Sequence, residues 1–190
     1  MATESSNAPP PDPEFESFLV EQAKAGESEV WEHWFDQYYQ QLYSYAFLRT
    51  RRKVDAEDIV AQVMLEAVKG IGRYEYRGRP IVAWLFAIAH NLIADSIKRQ
   101  QRRETREADA IAAGGPSDAD PESRIENLDL LQALDTLTEE QRDVVILRFF
   151  MGLRPKEIGD LLSKSEAAVY SLQARAILAL RASMGDVPSI

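Results

Sequence analysis

The sequence predicts an all-α protein of two small helical domains joined by a flexible acidic linker. Three observations predict it. Apolar residues recur at three- and four-residue steps almost throughout, and no stretch alternates polar with apolar as a half-buried strand does. Hydrophobic residues make up 45% and charged residues 28% of a 190-residue chain, an ordinary balance for one or two folded domains. Between two helical blocks, Glu104–Glu126 collects Gly114, Gly115, Pro116 and many Ala, Asp and Ser residues, which is a linker's composition.

Residues 1–13 are acidic and Pro-rich (Pro9, Pro10, Pro11, Pro13) and read as a disordered arm. Glu14–Leu48 reads as two aromatic-rich helices on either side of Gly26. Asp55–Ile71 is a third helix, with Asp55 as N-cap, Glu57 and Asp58 complementing the dipole, and Gly70 and Gly72 ending it. Its expected buried side is Ile59, Val60, Val63, Met64, Ala67 and Val68. Arg73–Pro80 is a loop, and Ile81–Arg103 is a long fourth helix buried along Ile81, Leu85, Ile88 and Leu92. The first domain is therefore drawn at 14–103 and the linker at 104–127. A second domain follows at 128–184, with a short tail at 185–190. Within it, Thr138 to Gln141 matches a capping box, and Pro155 suits the first turn of a short helix ending at Leu162. Ser163–Ser165 is a tight turn before a helix from Glu166 to about Ala182.

The net charge of -9 argues against a generic polyanion binder, but the charge is segmented. Residues 1–48 hold nine acids and one base, and residues 49–53 hold four bases in five. Residues 71–103 hold seven bases against Glu75 and Asp95, and residues 104–130 return to eight acids and two bases. With no Cys, disulfides and thiolate metal sites are excluded, and His33 and His90 are too scattered for a metal centre. The apolar stretch near Ile81–Ala89 is too short to span a bilayer, and the N-terminus is the reverse of a signal peptide, so a cytoplasmic protein is expected. No phosphate loop, zinc motif or nucleophile motif is present, and His90 reads as structural. No cofactor, metal or catalytic residue is expected.

Three constellations remain. Pro155–Leu162 and Glu166–Ala182 have the spacing of a helix-turn-helix, or of a plain helical hairpin. Val169, Leu172, Ala176 and Leu180 face inward on the wheel. Ala167, Tyr170, Ser171, Ala174, Arg175 and Arg181 face out, where small residues allow close approach to base edges. On the fourth helix Asn91, Asp95, Lys98 and Arg102 share a face with Trp84, after a loop that interleaves Tyr74, Tyr76, Arg77 and Arg79. Such a set can stack on an unpaired strand and hold its phosphates, or it can be a capped helix end over a core Trp. On the third helix Asp58, Gln62, Leu65 and Lys69 lie opposite the buried side, a polar rim around one apolar anchor.

Together these segments resemble the ECF-type (group IV) sigma factors of bacterial RNA polymerase. The region 2 likeness runs over Phe15–Arg103, with Asp55-Ala56-Glu57-Asp58-Ile59-Val60-Ala61-Gln62-Val63-Met64-Leu65 as its core. It continues through Arg73-Tyr74, Gly78-Arg79-Pro80, Ala83-Trp84-Leu85, Asn91-Leu92 and Asp95. The region 4 likeness covers Leu131–Met184, through Leu137, Gln141-Arg142, Leu147-Arg148, Gly152-Leu153, Glu157-Ile158, Ser165-Glu166, Val169 and Arg175-Ala176. The resemblance implies a promoter-specificity subunit with no catalytic site. Asp55, Asp58, Gln62 and Leu65 would meet the β′ clamp of core polymerase, which also offers its β subunit. Tyr74, Tyr76, Arg77, Gly78, Arg79, Trp84, Asn91, Asp95, Lys98, Arg99 and Arg102 would read and open the −10 element of promoter DNA. Ser165, Glu166, Ala167, Tyr170, Ser171, Ala174 and Arg175 would read the −35 element. Family members often carry basic residues where Tyr170 and Leu172 stand, and a capping Ser or Thr where Arg154 stands. An anti-sigma factor is an implied partner, and membrane insertion is not. The alternative from the residues alone is a free-standing helix-turn-helix regulator.

Overall fold

A computed structural model describes residues 12–110 and 128–184, and all regular structure among them is helical. The chain divides into two compact units. The first holds α1 (Pro13–Ala25), α2 (Ser28–Thr50), α3 (Lys53–Gly70), a single 3₁₀ turn (Ile71–Arg73) and α4 (Ile81–Ala110). The second holds α5 (Leu128–Asp135), α6 (Glu139–Val145) with its π-helical continuation (Ile146–Phe150), α7 (Pro155–Leu162) and α8 (Glu166–Met184).

Pro13 belongs to α1 rather than to the arm. It stands at the first helical position, where its missing N–H costs nothing, and the Asp12 carboxylate accepts the Glu14 amide at 3.0 Å. Gly26 ends the helix in the left-handed region (φ 90°), its N–H on Ala23 O and that of Glu27 on Gln22 O. Residues 1–11 of the expected arm lie outside the described residues.

The α2–α3 corner corrects one expected cap. Arg51 takes the left-handed conformation (φ 61°), so the chain re-enters a helix already at Lys53. Asp55 is thus inside the first turn of α3, where its carboxylate takes the Arg52 guanidinium at 3.2 Å. The buried stripes are also rotated from those expected. On α3 Met64 is half-buried and Val68 exposed. On α4 the buried positions are Ile81, Leu85, Phe86, Ala89 and Ile93, with Ile88 and Leu92 only half-buried.

These residues close a core with Trp34, Leu42 and Tyr45 of α2 and Ile59, Val60 and Val63 of α3. Tyr45 packs edge-on against Phe86 at 5.6 Å, and its hydroxyl meets His90 Nδ1 at 2.9 Å, which gives His90 a structural role. Helix α4 continues to Ala110, beyond the expected end at Arg103 and into the segment with linker composition. Residues 111–127, the rest of that segment, lie outside the described residues. Over Ile81–Arg102 the helix is long and apolar enough to cross a bilayer by length and composition, so the expectation that this stretch is too short needs correction. Its apolar side is instead packed against α2 and α3, and its other side carries Asn91, Asp95, Lys98 and Arg99 in the open. Charges at bilayer depth are costly, which favours the core-helix reading.

In the second unit Leu134, Val144, Ile146, Leu147, Ile158 and Val169 are fully buried. Thr138 and Gln141 form the expected capping box, the Gln141 amide on Thr138 Oγ1 at 3.3 Å and the Thr138 amide on Gln141 Oε1 at 3.1 Å. Lys164 joins the turn before α8 to α6 through Glu140 at 2.6 Å.

Candidate nucleic-acid interface

The exposed side of α3 is a stripe. Val54, Asp58, Ala61, Leu65 and Val68 recur at steps of four and three, and all are exposed, with Leu65 at 47% and Val68 at 49%. That spacing is the seam that packs against another helix in a coiled coil. Gln62 flanks it, donating to Glu66 at 2.8 Å, and Glu66 also takes Lys69 at 3.1 Å. The sequence identified Asp58, Gln62 and Leu65 but missed Val54, Ala61 and Val68. The 3.5-residue spacing was the signal, hidden because Val68 also fits a buried position.

The loop after the 3₁₀ turn is built on an aromatic pair. Tyr74 lies against Trp84 with ring centroids 4.8 Å apart, and the Trp84 ring also abuts Gly70, where a Cβ would fall 3.2 Å from it. The Tyr74 hydroxyl donates to Arg79 O at 3.4 Å, and the Tyr74 amide to Ile71 O at 3.0 Å. Burial, then the negative charge of Glu16, push the Tyr74 phenol up to about 12. Glu75 and Arg77 pair across the loop, with Arg77 Nε on the carboxylate at 3.1 Å; the guanidinium holds the Glu75 carboxyl below its ordinary range. Gly78 turns the chain at φ 72°.

Gly70, Arg73, Tyr74, Glu75, Arg77 and Trp84 line an open recess. From Trp84, the line Asn91, Asp95, Lys98, Arg102 runs along one side of α4, exposed from Asn91 onward, with Arg99 beside it holding Asp95 O at 3.2 Å. The structure therefore brings the loop and the α4 residues together through Trp84. Tyr76 is half-buried and Arg79 exposed. Sequence reasoning missed Glu16, a buried carboxylate on α1 that accepts the Ile81 amide at 3.3 Å.

In the second unit α7, Ser163 at φ 55° and α8 form a helix-turn-helix. Ser165 caps α8, its hydroxyl taking the Ala168 amide at 3.2 Å. Glu166, Ala167, Tyr170, Ser171, Ala174 and Arg175 are all exposed, and Arg175 Nε reaches Ser171 O at 3.3 Å. Leu172 is buried beside Val169 and Ala176, so that position faces the core and not a ligand. Before α7, Glu157 replaces the missing capping side chain. One carboxylate oxygen accepts the Arg154 amide at 2.7 Å and the other its guanidinium at 2.6 Å.

Family models for Sigma-70 region 2 and Sigma-70 region 4 match residues 34–103 and 133–182. The chain is 36% identical over 173 residues to the ECF RNA polymerase sigma factor BldN of Streptomyces coelicolor, covering 88% of this chain and 65% of that protein. It is 34% identical over 139 residues to the ECF RNA polymerase sigma factor ShbA of Streptomyces griseus, covering 66% of this chain and 70% of the other. The chain thus spans just under two thirds of the length of BldN. Its fold is similar to that of the sigma factor RpoE solved with the anti-sigma factor NepR from Bartonella quintana. The TM-score is 0.65 at 22% identity, over 80% of this chain and 95% of that one.

Proposed function

The chain belongs to the ECF sigma factors of the sigma-70 family, and on that premise we propose that it is the promoter-specificity subunit of a bacterial RNA polymerase, cytoplasmic and not itself an enzyme. The observation that supports this best is the matching of both regions, in order, in one chain that exposes Asp58 and Leu65 on α3, the Asn91-to-Arg102 line on α4 and the expected contact residues on α8, with Asp55, Gln62 and Trp84 half-buried.

In this reading the α3 stripe is the polymerase-binding face. A seam of Val54, Asp58, Ala61, Leu65 and Val68 suits a helical coiled-coil partner, the β′ clamp, with Asp58 and the neighbouring Asp55 and Gln62 supplying polar contacts. The loop recess and the α4 line act on the −10 element. An extruded base stacks against the Tyr74–Trp84 platform, Arg77 exchanges the Glu75 carboxylate for a phosphate, and Lys98, Arg99 and Arg102 hold the strand beyond. Helix α8 enters the major groove at the −35 element, where Ala167 and Ala174 permit close approach and Tyr170, Ser171 and Arg175 make the polar contacts. Ser165 serves there mainly as the cap that orients the helix. The isolated chain, at -9, is repelled by DNA; bound to polymerase, it presents the basic block 71–103 and the outer face of α8 to the promoter, and its acidic blocks lie elsewhere in the sequence. An anti-sigma factor is the expected inhibitor, by analogy with the RpoE–NepR complex.

The test is association with core polymerase. Asp58→Arg combined with Leu65→Ala places a cation in the stripe and removes its anchor, and should abolish co-elution with purified core enzyme. Unchanged co-elution contradicts the assignment of this face.

A further inference from the structure

Helix α4 begins without a capping side chain of its own. Pro80 stands at the cap position and offers no side-chain acceptor, and Ile81, the first helical residue, has an amide that no intrahelical carbonyl reaches. The nearest preceding residues, Gly78 and Arg79, carry no acceptor side chain either. The acceptor comes from 65 residues earlier: Glu16 on α1, buried to 4% exposure, receives the Ile81 N–H at 3.3 Å. A negative group there also complements the dipole of α4.

Helix α1 reaches both ends of the loop. It packs on the Ile71–Arg73 turn where the loop begins, and through Glu16 it holds the amide where the loop ends. Glu16 lies on the same side of α1 as Val20 and Ala23, both buried, so its place is fixed by the packing of the whole helix. Its charge is also felt inside the loop, adding to burial, the larger cause, in raising the pKa of Tyr74 and of Tyr76. Within the loop itself, the Tyr74 amide donates to Ile71 O, the Tyr74 hydroxyl makes a long bond to Arg79 O, and Glu75 pairs with Arg77. Helix α1 precedes the residues matched as Sigma-70 region 2, which begin at residue 34.

We propose that Glu16 is a positioning residue for promoter opening: by holding the Ile81 amide from α1 it fixes where the Tyr74–Pro80 loop rejoins α4, and so sets the loop against the Trp84–Arg102 line. This rests on the reading of that loop as the −10 site. Glu16 touches no DNA; it acts through the loop's anchor. Removing the acceptor leaves the Tyr74–Trp84 platform in place but lets the end of the loop drift, so a base that must be extruded from a duplex loses a preorganised pocket.

Two near-isosteric substitutions isolate the acceptor. Glu16→Gln keeps an oxygen for the Ile81 amide without the charge, and Glu16→Met keeps the volume without the oxygen. The full-length chain is reconstituted with purified bacterial core polymerase on a duplex promoter fragment, selected by the wild-type holoenzyme from a random-sequence library. Permanganate reactivity of −10 thymines measures opening, and the same fragment with an unpaired −10 segment measures binding without melting. Glu16→Met should open the duplex about tenfold less, the size expected for a lost hydrogen bond to a carboxylate. It should keep at least about half of wild-type occupancy on the unpaired fragment and co-elute normally with core. Glu16→Gln should stay within about twofold of wild type. Opening by Glu16→Met at the wild-type rate overturns the proposal. So does an equal loss in both variants, or a Glu16→Met loss that extends to core binding, which makes Glu16 a residue of the core alone. A wild-type holoenzyme that selects no promoter brings down the −10 reading itself, an outcome separate from any difference among the variants.

Discussion

Gly159 sits on α7 where that helix passes closest to the turn before α8. The Lys164 amide donates to Gly159 O at 2.8 Å, which pins the two backbones together, and a Cβ at position 159 would lie 2.6 Å from Lys164 O. In a free helix, Gly159→Ala would gain about 1 kcal/mol of helix propensity. Here the obstructing atom is backbone, and it must retreat by about 0.8 Å to reach ordinary contact, a displacement of the kind that costs about 1–3 kcal/mol in packed interiors. The clash at least offsets the propensity, so the net effect should be a loss of up to about 2 kcal/mol, and it should fall on the second unit alone. The Trp residues make this separable, because Trp31, Trp34 and Trp84 all belong to the first unit. In a urea titration of the full chain, the Trp fluorescence transition should stay in place while the helical circular dichroism shows an earlier second transition. Transcription from a promoter dependent on its −35 element should fall with it. A Gly159→Ala chain whose second unit is more stable than wild type by about 1 kcal/mol, the unopposed propensity gain, refutes the argument that this close approach leaves no room for a Cβ.

Other outcomes follow from the first unit. The Tyr74 phenol titrates at about 12 in the fold against about 10 in the unfolded chain, so this group's contribution is complete below pH 10 and is lost as pH rises towards 12; burial acts on Tyr38 in the same sense. Tyr74→Phe should flatten the alkaline loss of stability over that window, and an unchanged pH profile counts against a buried phenol. Tyr45→Phe leaves His90 Nδ1 without its 2.9 Å partner and should cost about 0.5–1.5 kcal/mol in thermal unfolding, with no change in helix content. Arg77→Ala and Asn91→Ala should each lower transcription from duplex promoters about tenfold or more while core co-elution stays normal. Loss of core binding in either variant would remove them from the DNA-facing set.

The second unit was the more legible half, because its boundaries are written in local chemistry. Thr138 with Gln141, and Pro155 at a first helical position, act within a turn of where they stand, and the expected faces of α8 follow from one period. The first unit departs where distant contacts decide. Asp55 has a capping residue's preferences, but the left-handed Arg51 turns the chain early enough for α3 to start at Lys53. Val68 is apolar and in phase with the core, yet the packing of α2 and α4 leaves it outside, where it completes the exposed stripe. The linker's acidic composition did not mark the end of α4, since Glu, Ala and Arg are all good helix formers and carry the helix on to Ala110. Glu16 could not be read at all, because a Glu on an amphipathic helix gives no sign of a partner 65 residues away.

The central claim is that this chain gives core polymerase its promoter. Run-off transcription with purified bacterial core enzyme, with and without the chain, tests it most directly, on templates selected from a random library by the mixture. The account predicts discrete transcripts only when both are present, from templates sharing two elements, and no stable binding of the chain alone to the same duplexes. Tight duplex binding by the chain alone, with no transcript on addition of core enzyme, would contradict it and point to a free-standing DNA-binding regulator.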